Sequence, residues 1–223
     1  MNPLILAIDT TRESGSLALV RGEVLVQETL LHAPGGFAHV IYHHLAQLLG
    51  RHGVKPAMVD CFAAASGPGS FTGVRVGLAC VKGLADALGK PAVAVSNLQA
   101  VASFGSAPLR AVVLDARRGE IYGAVYEDTG RLAAPEVVTK FAAWLATLPE
   151  GEIEFVSTDF TPFRAALAGT RFERAPIATA PPALAAAVAR IALARFLRGE
   201  ASDPAALDAN YVRRSDAELF WKE

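Results

Sequence analysis

Two segments of this chain hold residue types whose spacing could do chemistry. The more distinctive is Ser66-Gly67-Pro68-Gly69-Ser70-Phe71-Thr72-Gly73-Val74-Arg75. Glycines between a strand and a helix let backbone amides converge, the arrangement that holds an anion at a helix N-terminus. The spacing departs from the known phosphate loops: it lacks the Gly-Lys-Ser/Thr ending of a Walker loop and the third glycine of a dinucleotide loop. A tight turn with Ser70 or Thr72 capping the next helix accounts for the same residues. The second segment carries His39 and His43. They stand four apart on one face of a predicted helix, as two metal ligands would. Metalloprotease chemistry needs Glu after the first His, and Val40 stands there instead. No third ligand presents itself in the sequence, and histidines on a half-exposed helix also serve as polar interface residues.

The elements that must position these residues follow from periodicity and turn chemistry. Leu4–Ile8, Ser16–Val20 and Val24–Leu31 read as three strands in a meander, with turns at Gly15 and Arg21-Gly22. A helix over 37–49 closes at Gly50 and Gly53, and Asp60–Ser66 is a small-residue strand. The glycine loop opens a second helix that Gly89 and Pro91 stop near Leu88. Strand Ala92–Val95 and a short helix Asn97–Phe104 follow. From Leu109 the plan begins again, with strands Ala111–Leu114, Ile121–Tyr126 and Ile153–Val156 and helices over Phe141–Leu148 and Pro181–Arg198. Both halves start with a strand ending in Asp, Asp9 or Asp115, that feeds a hairpin. The expected division is an N-terminal lobe 1–106 and a C-terminal lobe 107–223.

The second helix has one face of Val74, Leu78, Val81, Ala85 and Leu88. Gly73, Val76, Gly77, Cys80, Gly83, Leu84 and Ala87 cover most of the rest, and only Arg75, Lys82 and Asp86 are charged. A helix apolar nearly all round must be buried nearly all round. One face goes to its own sheet, and small residues on the other permit close approach by a second helix. The expected interface is His39, Val40 and His43 from the first helix with Gly73, Val76, Gly77, Cys80, Gly83, Leu84 and Ala87 from the second. Cover by other elements of the same chain is the competing account.

Composition sets the outer bounds. Of 223 residues 52% are hydrophobic and 19% charged, enough apolar side chain for a real core. Lys and Arg total 21 against 22 Asp and Glu, which gives no global pull toward nucleic acid or an anionic membrane. The basic pairs Arg117-Arg118 and Arg213-Arg214 are too few for a direct nucleic-acid-binding stripe. Cys61 and Cys80 lie in apolar surroundings, pointing to a reduced, cytoplasmic setting and not a disulfide framework. The opening run to Asp9 reads as a strand and not a signal peptide, and no stretch has the roughly 18 apolar residues of a membrane helix.

Ile8-Asp9-Thr10-Thr11 before a hairpin resembles the first phosphate hairpin of the actin-like ATPase fold, where Asp helps hold a hydrated metal. Asp9, Thr10 and Thr11 are therefore the nucleotide candidates, although Thr10 and Thr11 replace the glycine expected there. An Asp closing a strand end accounts for them equally. Ile5-Leu6-Ala7-Ile8-Asp9-Thr10-Thr11, the loop Ser66–Arg75 continued by Val76-Gly77-Leu78, Leu114-Asp115-Ala116-Arg117-Arg118-Gly119-Glu120-Ile121-Tyr122, and the tail Asn210-Tyr211-Val212-Arg213-Arg214 with Trp221-Lys222 resemble the TsaB (YeaZ) family. Residues 130–205 carry little of the pattern.

The resemblance implies an α/β protein of two-lobe actin-like (ASKHA) fold, each lobe a mixed sheet with flanking helices, that has lost catalytic ability and needs no cofactor. It implies a scaffold that pairs with TsaD, the catalytic paralogue, and with the ATPase TsaE. Together they make N6-threonylcarbamoyladenosine at position 37 of tRNAs reading codons that begin with A. Pairing in the family uses the first two helices of each partner, so a homodimer through helices 37–49 and 73–88 is expected when the chain is alone. Contact with tRNA is expected only within the complex. TsaD binds a metal through an HxxxH pair, which His39 and His43 echo without its further aspartate ligand. The alternative is an ATP-dependent or metal-dependent hydrolase of the glycoprotease-like family.

Overall fold

Apolar runs separated by tight turns become β1 (Leu4–Asp9), β2 (Ser14–Arg21) and β3 (Val24–His32) in a computed structural model that describes residues 2–213. β1 and β2 are antiparallel with Asp9 opposite Ser16, and β2 pairs β3 the same way. β4 (Cys61–Ala65) lies parallel to β1, and β5 (Ala92–Val95) parallel to β4. The sheet order is β3-β2-β1-β4-β5. Every residue of β1 and β4 is buried, as strands covered on both faces must be. Leu4, Leu6 and Ile8 join a cluster with Leu45 and Leu48 of α1 (Ile41–Arg51) and Val74, Leu78 and Val81 of α2 (Phe71–Leu88).

A second sheet repeats this plan. β6 (Leu109–Asp115), β7 (Ile121–Glu127) and β8 (Leu132–Thr139) form an antiparallel meander. β9 (Ile153–Ser157) and β10 (Ile177–Thr179) add in parallel, giving the order β10-β9-β6-β7-β8. Strand for strand this is the first sheet again, so the duplicated actin-like plan holds. Its core is aromatic: Phe141 and Trp144 of α4 (Phe141–Leu145) pack with Phe155, Phe160 and Phe172.

The structure departs from the expected elements in three places. The helix expected over 37–49 is broken: Phe37–His39 is a 3-10 turn, Val40 has φ −116°, and α1 begins only at Ile41. β8 carries Pro135 and is found at the sheet edge, where a missing N–H costs no ladder bond, while β10 is too short to show a period. The third departure concerns the division. Among the described residues one compact unit is 2–97 with 182–210 and the other is 98–181 with 211–213, so the helix after Pro181 does not belong with the second sheet. That helix, α5 (Ala185–Leu197), packs on β1, β2, β4 and β5. Its alanines let it lie close to a sheet, and Ser16 of β2 and Glu28 of β3 accept the first N–H groups of its N-terminus. A boundary drawn by chain position misses such a return. Chain 98–106, including most of α3 (Asn97–Ala102), joins the second unit.

Candidate functional site

The turn after β1 places Asp9, Thr10 and Thr11 fully inside the first unit, each at most 1% exposed. Asp9 Oδ1 accepts the Thr11 N–H at 2.9 Å and the Thr11 hydroxyl at 2.6 Å. Thr11 Oγ1 in turn accepts from Asn97 Nδ2 at 2.6 Å, and the Thr11 carbonyl accepts the Ser70 N–H at 2.6 Å. Thr10 Oγ1 donates to the Gly73 carbonyl at 2.7 Å. The glycine loop is thus seated on this turn. Ser70 caps α2, its Oγ accepting the Gly73 N–H at 3.3 Å, as one reading of the sequence expects. Asn97 Oδ1 accepts the Gly67 N–H at 2.9 Å. The glycines are required by this seating: a Cβ on Gly69 would stand 2.4 Å from the Thr11 carbonyl oxygen, and one on Gly73 2.0 Å from that of Thr10.

Two buried atoms of this turn, Asp9 Oδ2 and Arg12 Nε, have no hydrogen-bond partner among the described residues. Arg12 donates from its terminal nitrogen to the Pro182 carbonyl at 2.8 Å. Burial pulls the Arg12 guanidinium below its ordinary pKa, and the charge of Asp9 opposes that pull.

Gly77 shares the fate of Gly73. Its Cβ would stand 2.7 Å from Thr10 Oγ1, so both residues, expected at an interface, are instead packed on the turn after β1 within the same chain. That contact fixes the rotation of α2. Cys80 is buried at 3% exposure, and Val76 and Leu84 are half-buried against the core. Gly83 and Ala87 are exposed. What faces outward is the ridge Phe71, Arg75, Ala79, Gly83 and Ala87, each exposed and each four residues from the next. The Arg75 guanidinium lies 3.6 Å from the Phe71 ring centroid. Tyr42 of α1 is 60% exposed. Sequence reasoning did not single out Phe71, Ala79 and Tyr42 as exposed; for α2 the 71-75-79-83-87 spacing was the available signal. Burial pushes the Cys80 thiol up to about 11 and the Cys61 thiol to about 12, so both stay protonated and unreactive near neutral pH.

His39 and His43 do not share a helix, because the break at Val40 separates the 3-10 turn from α1. Both are exposed and Val40 is half-buried. His43 Nε2 is 3.0 Å from Gln47 Nε2, and its ring meets His44 edge-on at 5.7 Å. Among the described residues no group of three or more His, Cys, Asp or Glu is arranged to hold a metal.

In the second unit the turn after β6 is exposed at Asp115, Arg117 and Arg118. Asp115 Oδ1 accepts the Arg117 N–H at 2.8 Å. Arg117, Arg118 and Gly119 have φ of 65°, 57° and 74°, and the Glu120 N–H closes the turn on the Arg117 carbonyl. Arg213 returns from the far end of the chain to donate to the Ala116 carbonyl at 2.9 Å and to pair with Glu120. Arg214, Trp221 and Lys222 lie outside the described residues.

Two mixed sheets of identical strand order, each opening with a strand that ends in Asp and feeds a hairpin, define an α/β protein of the actin-like (ASKHA) class. The fold of the (R)-2-hydroxyglutaryl-CoA dehydratase component A of Acidaminococcus fermentans is alike at TM-score 0.56, 10% identical over 87% of this chain and 99% of that one. Residues 32–195 match the family described as TsaD, tRNA N6-adenosine threonylcarbamoyltransferase. The tRNA threonylcarbamoyladenosine biosynthesis protein TsaB of Bacillus subtilis is 30% identical over 98% of each chain. YeaZ from Pseudomonas aeruginosa superposes at TM-score 0.76, with 28% identity over 94% of this chain and 99% of that one. The chain belongs to the TsaB (YeaZ) family, and is related to TsaD.

Proposed function

We propose that this chain is a non-catalytic subunit of tRNA threonylcarbamoyladenosine biosynthesis that pairs, through α1 and α2, with a TsaD-type paralogue, in the cytoplasm and together with TsaE. The observation that carries the pairing is the exposed ridge of α2. Four of its five residues are uncharged, and Ala79, Gly83 and Ala87 leave a shallow groove into which a second helix can pack by its own i±4 ridge. Tyr42 and Phe71 stand at its border as large, half-exposed anchors. The same surface suits a second copy of this chain when no paralogue is present. Participation in tRNA threonylcarbamoyladenosine biosynthesis follows from family membership and from the name of the Bacillus subtilis relative.

The non-catalytic part of the reading rests on where polar groups are spent. Places that could cradle phosphates are filled by the chain's own acceptors: Ser70 at the start of α2, Glu28 and Ser16 at the start of α5, and Asn97 on Gly67. In the second unit the corresponding aspartate turn is held by Arg213. Among the described residues no helix is long and apolar enough to cross a membrane.

Gly83 gives a clean test, because a Cβ there meets nothing within 4 Å among the described residues. Gly83→Glu, alone and with Ala87→Glu, is expected to leave thermal unfolding of the single chain within a few degrees of wild type. Co-purification with the TsaD paralogue should fall by tenfold or more, since an unpaired charge in a packed interface costs about 3 kcal/mol. Undiminished pairing by a folded double variant would remove this surface from consideration.

A further inference from the structure

Charge is unevenly placed along this chain. It has 22 acidic residues, yet from Thr29 to Ala85 Asp60 alone is acidic. Asp60 is half-buried, and its Oδ2 accepts the Leu4 N–H at 2.8 Å. The same stretch holds Arg51, Lys55, Arg75, Lys82 and all five histidines. It builds one side of the first unit: α1 and α2 share a core cluster, and the turn Phe37–His39 and the segment Pro56–Met58 both pack on α2. On these elements His39, His43, Arg51, Lys55 and Arg75 are exposed, and a histidine is neutral or positive but never negative. Acids on elements packed against α1 and α2 are turned to other uses. Asp9 is fully buried, Glu28 accepts the Ala186 N–H, and Asp203 caps the turn Pro204–Ala206 that lies against α2. Asp86, in the last turn of α2, is exposed.

We infer that the partner face received by α1 and α2 carries carboxylates opposite His43, Arg51 and Arg75, so that charge as well as shape selects the partner. The inference rests on the pairing role proposed above and names the chemistry of the occupant. His43, Gln47 and Arg51 are exposed at four-residue spacing on α1, and Arg75 belongs to the exposed ridge of α2. These cations border an uncharged centre, Ala79 and Gly83. A protein helix with acids along its edges suits that pattern. A nucleic-acid strand would leave its phosphates without cations over that centre. A second copy suits it less well than an acidic partner, because an isologous pair brings two acid-poor surfaces together. Screening by salt therefore acts with opposite sign on the two pairings: it weakens the acidic partner's hold and relieves repulsion between copies.

The test uses the full chain with the TsaD paralogue as the acidic partner, at about 50 and about 500 mM NaCl. Affinity for the paralogue should fall at least about fivefold at the higher salt, while self-association of the chain alone should not fall. Arg51→Glu/Arg75→Glu should weaken the heterologous pair about tenfold or more at low salt and abolish its salt response. Arg51→Lys/Arg75→Lys, which keeps both charges, should pair as the wild type does. Should the reversals unfold the chain, Arg51→Gln/Arg75→Gln takes their place. A heterologous affinity that ignores both salt and the reversals, while Gly83→Glu still breaks the pair, overturns the inference and leaves the pairing role standing. Bulk tRNA is the second probe. Its binding to the chain alone, lost in Arg51→Glu/Arg75→Glu, would assign these cations to phosphate and also overturn the inference.

Discussion

In the turn after β1, Asp9 Oδ1 accepts the N–H of the residue two places on at 2.9 Å; in the turn after β6, Asp115 Oδ1 does the same at 2.8 Å. Both aspartates end the strand at the centre of a five-stranded sheet, and both precede a hairpin. From there the two turns diverge. The first is roofed by the glycine loop and shut off from water, and Thr10 and Thr11 complete it. The second stays exposed, turns through three consecutive residues of positive φ, and is held from the side by Arg213. One local device, an aspartate carboxylate accepting the amide two residues on, has become a core element in one place and a surface element in the other. The difference lies in what packs on the turn and in the backbone path after the aspartate.

The sharpest way to break the comparison is to crowd both turns. Gly73→Ala drives a methyl group to 2.0 Å from a backbone oxygen and should cost at least about 3 kcal/mol in urea unfolding. Gly119→Ala meets nothing within 4 Å and carries only the left-handed penalty, about 1 kcal/mol. Equal costs would mean the first turn is not held as described.

A middle-sized effect should come from Arg213→Ala. Losing a half-buried guanidinium with two partners should cost about 1 kcal/mol. The readout specific to the comparison is amide exchange: faster at Glu120, unchanged at Thr11. Acceleration at both would show that the turns are coupled.

The smallest effect concerns pH. The two buried thiols have folded values raised from 9.0 to about 11 and about 12, so the folded chain keeps protons the unfolded chain releases. Their contribution is therefore complete below pH 9 and is lost as pH climbs through 11 to 12. Urea midpoints should be flat in this respect from pH 7 to 8.5 and decline above 9, and Cys61→Ala/Cys80→Ala should flatten the decline.

Much of the fold was legible because local signals were strong. Gly89 stops α2 with φ of 60°, Ser70 starts it, and the meander β1–β3 follows from alternating apolar runs between turns. β8 was hidden by Pro135, tolerated only because this strand is an edge, a fact of the sheet and not of the segment. The helix expected from Phe37 looked continuous because 3-10 and α turns share their first three residues in any pattern count; Val40 breaks it. On α2, composition marked a helix with little charge but not which side is buried: Gly73, Gly77 and Cys80, expected at an interface, are buried within the chain. Glycine at 73 and 77 says only that something comes close, and a partner helix and the chain's own Thr10 make the same demand.

By itself the sequence determined the repeated strand-to-aspartate plan, the glycine loop, the family and the near absence of charge on α2, because each is written in neighbouring residues. Tertiary structure decided which side of α2 meets water, that α5 returns to the first sheet, and that the glycine loop seats on Thr10 and Thr11. Those depend on contacts between segments far apart in the chain, where packing sets the phase of a helix and residue type does not.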